Sequence, residues 1–163
     1  IDLRDPRRDA LTVLQSAMSG MSSALFREIR DRRGLAYYTG ASLRPGLGAG
    51  HFMLLAGTRE DAVPEVRRLF GDEIRRVAVD GLTAEEFERA RTMIVAANAM
   101  DRQDNQGLAL GCSLNEIYGL GYDYDLKIPA RMAVLTPAQV REAAASVLRT
   151  EAMAISIVLP SKK

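Results

Sequence analysis

The chain has 163 residues, enough for one domain or for one half of a larger repeated unit. Apolar residues make up 47% and charged residues 26%, the balance of an ordinary soluble globular protein. With 22 basic and 21 acidic residues the net charge is +1, which recruits neither nucleic acid nor an anionic membrane surface.

One cysteine, Cys112, excludes an intrachain disulfide and leaves the redox compartment open. No apolar run approaches the ~20 residues of a membrane span. The chain starts at Ile1 rather than Met, which predicts a fragment of a longer protein, so the lack of a signal peptide decides nothing. A soluble protein of either cytoplasm or periplasm fits.

Asp5-Pro6 opens a first helix in which Leu11, Leu14, Ala17 and Met18 recur at helical spacing up to Gly20. Ser22 or Ser23 can cap a second, short helix with Leu25, Phe26 and Ile29 on its apolar face. Arg27, Arg30, Arg32 and Arg33 crowd its last turns, where cations complement the helix dipole. Gly34 stands where a left-handed residue is needed, and Leu35–Leu43 has strand composition. The turn-rich Pro45–Gly50 run and the apolar Phe52–Ala56 run complete a hairpin.

Thr58 or Asp61 begins the next helix, whose face is Val66, Leu69, Phe70, Ile74 and Val77 and whose end is Gly81. Thr83 and Glu86 form a capping box for a long helix reaching about Met100. Asp101–Gly121 reads as mainly helical, interrupted by glycines, and Tyr122–Asp125 as an acidic-aromatic turn after which Pro129 limits helix formation. Thr136-Pro137 starts the helix Ala138–Leu148, and Ala152–Leu159 reads as a closing apolar strand. The fold predicted is α+β: a two-layer sandwich, mainly antiparallel sheet packed against helices, in a single domain spanning 1–163. Three strands make a thin sheet, so the first strand or strands are expected before Ile1.

Much chemistry is absent. His51 is the one histidine and Cys112 the one cysteine, and no two such residues have zinc-ligand spacing. No Gly-x-Ser-x-Gly elbow and no phosphate loop occur, and Glu85, Glu86 and Glu88 read as the solvated first turn of a helix. No complete active site lies in this chain.

Gly20-Met21-Ser22-Ser23-Ala24-Leu25-Phe26-Arg27-Glu28-Ile29-Arg30, followed by Arg33-Gly34-Leu35-Ala36-Tyr37, resembles the C-terminal half of the insulinase/pitrilysin zinc peptidases. The likeness continues through Gly57-Thr58, the Leu82–Ala90 helix start, Ala138–Leu148 and the last run. Two departures are Ala24, where the family usually has arginine, and a lone Gly20 where relatives often have two or three glycines. The resemblance implies a zinc-dependent endopeptidase built from two similar halves, with an inverted His-x-x-Glu-His zinc motif in the half opposite to this one. Zinc is then expected in that partner half and not in this chain, and the isolated chain is expected to be inactive.

The residues the resemblance singles out as catalytic are Arg30 and Tyr37, which would face the zinc across the chamber. Peptide hydrolysis builds negative charge on the carbonyl oxygen. A tyrosine hydroxyl can donate to that oxyanion, and an arginine can hold substrate carbonyls with its fork of donors. Gly20, Met21 and Ser22 are the expected substrate-binding residues. Tyr38 is expected to alternate to the other sheet face as packing, and Arg32 and Arg33 to be solvated. The partners implied are a peptide substrate and the zinc-bearing half or a homologous subunit. The alternative is a non-catalytic scaffold or partner subunit of the same family.

Overall fold

The computed structural model describes residues 1–159. Helix α1, Arg8–Ala17, is the centre of the molecule: Leu11, Val13, Leu14 and Met18 are almost wholly buried. Its start is fixed by Asp5, whose carboxylate takes the Arg7 amide at 2.8 Å and clasps the Arg7 guanidinium at 2.7 Å. Its far end is stitched to the sheet. The Ser19 hydroxyl donates to the Ala41 carbonyl at 3.0 Å and accepts the Ala41 amide at 3.2 Å.

The short turn α2, Ala24–Phe26, continues as a π-helical segment, Arg27–Arg32. Strands β1, Ala36–Arg44, and β2, His51–Thr58, form an antiparallel hairpin, the one sheet among the described residues. After a 3₁₀ turn, Glu60–Ala62, come α3, Val63–Val79, and α4, Ala84–Asp101. Helices α5, Asn105–Ile117, α6, Ile128–Val134, and α7, Pro137–Val147, complete the layer. Helix α1 packs on α4, α7 and β1, and α3 packs on α7. One apolar core therefore joins sheet and helices, the α+β architecture expected.

The capping box of α4 is present: Thr83 takes the Glu86 amide at 3.1 Å, and Glu86 takes the Thr83 amide at 2.9 Å. Glu86 is buried, not solvated with Glu85 and Glu88, because Arg76 of α3 donates to both its oxygens at 3.2 and 3.1 Å. Arg76 also forks onto the buried Glu73 at 2.8 and 2.9 Å. That shared cation locks α3 to the start of α4.

Two further expectations are corrected. Pro129 does not limit a helix; it lies in the first turn of α6, where the missing amide costs no intrahelical bond. The Ala152–Leu159 run is not a strand. Thr150–Ala152 is a 3₁₀ turn, and the residues from 153 to 159 have no backbone partner among the described residues. Apolar composition favours a strand, but a strand exists only where another edge pairs with it.

In the acidic-aromatic turn Tyr122 is exposed and Tyr124 half-buried. The Tyr124 ring lies between two guanidiniums, 4.0 Å from that of Arg131 and 5.1 Å from that of Arg8, while Arg131 pairs with Asp9 at 2.8 Å.

Candidate functional site: an arginine between two aromatic rings

The site is built by a helix that is wound wide and stopped sharply. Ser23, not Ser22, is the cap: fully buried, it accepts the Phe26 amide at 3.1 Å and donates to the Gly20 carbonyl at 2.9 Å. The backbone then widens into the π segment, a form that recurs at functional sites. Gly34 stops it at φ +58°, with its amide on the Arg30 carbonyl at 3.0 Å and the Leu35 amide on the Ile29 carbonyl at 2.8 Å. A residue with a Cβ is strained at that φ, so glycine sets the reversal that sends the chain straight into β1.

The first turn of β1 carries a bulge. Ala36 faces Thr58 and Tyr38 faces Gly57, so Tyr37 is the extra residue. A bulge interrupts the alternation of faces and re-aims a side chain. Tyr37 is accordingly 80% exposed, pointing out of the sheet beside the helix that precedes it. Tyr38 packs over Gly57, where a Cβ would come within 2.3 Å of its ring, yet stays 53% exposed.

Arg30 and Tyr37 meet. The Arg30 guanidinium lies 4.8 Å from the centre of the Phe26 ring and 5.6 Å from that of Tyr37. Two aromatic faces fix a cation's orientation without neutralising it. Arg32 and Arg33 are spent on Glu28, and Arg33 also on Glu65 at 3.2 Å. Arg30 has no carboxylate partner among the described residues. It lines a shallow, open depression of about 460 Å³ together with Leu35, Ala36, Tyr37, Thr58 and Arg59. A fixed guanidinium beside a phenol offers hydrogen-bond donors to a carbonyl, an oxyanion or a carboxylate.

Gly20, Met21 and Ser22 lie in the exposed loop between α1 and α2, Met21 76% exposed, and do not line this pocket. Two residues of the site escaped sequence reasoning. Phe26 reads as core in any helical wheel, yet it stands four residues before Arg30, the spacing that puts two side chains on one helix face. Arg59 carries no motif, and only the hairpin register brings the end of β2 beside Tyr37.

The model of the peptidase M16 inactive domain matches residues 2–94. The chain belongs to the M16 peptidase family. An uncharacterized zinc protease of Streptomyces coelicolor is 34% identical over 160 residues, covering 97% of this chain and 34% of that protein. Among solved structures, a peptidase M16 inactive domain from Pseudomonas fluorescens superposes with a TM-score of 0.77 at 23% identity, covering 91% of this chain and 35% of that one. The inactive peptidase domain of a Bordetella parapertussis protein gives 0.80 at 16% identity, over 93% of this chain and 82% of that one. At such identities these structures establish the fold. This M16 chain spans about a third of the length of the curated relative from Streptomyces. The expected likeness to insulinase-type zinc peptidases is thereby borne out.

Proposed function

We propose that this M16 chain is the substrate-holding half of a zinc metalloendopeptidase. The observation that carries the reading is Arg30, oriented by Phe26 and Tyr37, free of any carboxylate among the described residues, and open to a pocket. Arg30 binds a backbone carbonyl of an extended peptide through its parallel N–H groups. The Tyr37 hydroxyl donates to the oxygen of the scissile carbonyl, and that hydrogen bond strengthens as the oxygen becomes negative. The peptide carbonyls thus replace the acid that Arg30 lacks.

Zinc belongs, in this reading, to the other half of the protease. Among the described residues no three His, Cys, Asp or Glu side chains converge on a point that could hold a metal ion. Exposed apolar side chains on α5, Leu110, Leu114 and Ile117, support a companion half packing against this one. Substrate-entrance roles for Gly20, Met21 and Ser22 are part of the proposal, resting on their exposure one loop before α2.

The test is steady-state kinetics on the full protease that carries this chain. Tyr37→Phe is expected to lower kcat by about 10²–10³-fold with KM little changed, as for other single oxyanion donors. Arg30→Gln is expected to act mainly on KM. Unchanged turnover in Tyr37→Phe would remove the catalytic role and leave the non-catalytic partner subunit as the better account.

A further inference from the structure

Arg59 is the second cation of the pocket, and the peptide-holding role of Arg30 leaves it unused. It stands immediately after β2, with its side chain 63% exposed. One N–H donates to the Gly34 carbonyl at 3.3 Å, which ties it to the turn that positions Tyr37. The others reach Asp61 at 3.2 and 3.4 Å, long contacts to a carboxylate that is itself 73% exposed. Such a surface pair contributes little and exchanges readily for another anion. The pocket wall itself holds two arginines and no acidic residue.

We propose that this pocket selects a peptide carboxylate next to the carbonyl held by Arg30, with Arg59 as the residue that reads it. The inference rests on the substrate-holding role proposed above. Arg59 meets a carboxylate through two parallel N–H groups, and Asp61 already shows that approach in miniature. When an acidic peptide binds, its carboxylate displaces Asp61, so Asp61 acts as an internal competitor. The carboxylate can come from an Asp or Glu side chain or from a peptide C-terminus; both present the same two oxygens.

Fluorescence anisotropy on the full protease that carries this chain, treated with chelator so that peptides are held and not cut, tests this with four labelled octapeptides: glutamate, glutamine or lysine at one central position with amidated ends, and the glutamine peptide with a free C-terminus. The glutamate peptide is expected to bind about tenfold tighter than its glutamine twin, the size of one charge-assisted hydrogen-bonded pair at a partly exposed site. Arg59→Gln is expected to abolish that ratio and Asp61→Asn to widen it. A gain confined to the glutamate peptide assigns a side-chain carboxylate; an equal gain from the free C-terminus alone assigns a terminal one. Equal affinity for the glutamate, glutamine and free-acid peptides, or a ratio that survives Arg59→Gln, overturns the proposal. If that equal binding weakens in Arg30→Gln, the substrate-holding role stands without acid selection. If no peptide binds the wild-type protease, both fall together.

Discussion

Single charged residues here divide by what their partners leave free. Arg30 is oriented by rings and keeps its hydrogen-bonding capacity, whereas Asp5 is spent entirely on its own turn. The Arg7 guanidinium, hydrogen-bonded to Asp5, holds that carboxyl down to about 2. A carboxylate whose pKa is depressed on folding adds stability above its unfolded value, near 4, and loses that stability as pH falls through its folded value. Asp5→Asn is therefore expected to cost about 1 kcal/mol at neutral pH, given the half-exposed arginine. Urea titrations should show the difference between Asp5→Asn and wild type closing between about pH 4 and pH 2. A difference constant across that window would mean that the Asp5 charge plays no part.

At the scale of elements, the joint between α3 and α4 has the most at stake. Glu73 and Glu86 are 9% and 6% exposed, and Arg76 serves both while donating to the Gly81 carbonyl at 3.3 Å. The hydrogen bonds to Glu73 and then the charge of both carboxylates hold the Arg76 guanidinium well above its usual range. Arg76→Met leaves two buried carboxylates facing each other without a cation, and a loss of about 3–5 kcal/mol is expected by chemical denaturation. Thr83→Ala removes one capping bond of the same joint and is expected to cost only about 1 kcal/mol. Equal costs for the two would show that the joint is held by the cap alone.

The arginine fork between α3 and α4 also marks a boundary of sequence reasoning. Thr83 and Glu86 announce their helix start because the capping box is local, three residues wide. That Glu86 is buried cannot be inferred from spacing, since its partner stands on another helix. Likewise the Thr136-Pro137 signal locates α7, where the structure adds the reciprocal bond from Gln139, whose side chain takes the Thr136 amide at 2.9 Å.

At the scale of the whole molecule, α1 is the common wall of the core. Leu11 and Leu14 have no exposed surface and belong to one core cluster with residues of the helical layer and of the hairpin. Leu14→Ala is expected to destabilise by about 2–5 kcal/mol, toward the upper end because the elements around it are fixed by several other contacts and cannot close the cavity. Thermal or denaturant unfolding checks it. A cost below 1 kcal/mol would mean that the packing around α1 relaxes freely.

The sequence by itself determined the helices other than α6, the hairpin, the glycine stop at Gly34, the family and the pairing of Arg30 with Tyr37 as residues of interest. Each of these is written in short-range patterns: helical spacing, caps, turn residues, one contiguous motif. Tertiary structure alone decided three things. It wound Arg27–Arg32 into a π turn, it bulged β1 so that Tyr37 leaves the sheet and meets Arg30, and it brought Arg59 into the same pocket. Residues 153–159 have no backbone partner among the described residues, because a strand needs a second backbone while its own residues supply only the propensity. Long-range registers and neighbours are set by packing, and one residue's identity carries no record of them.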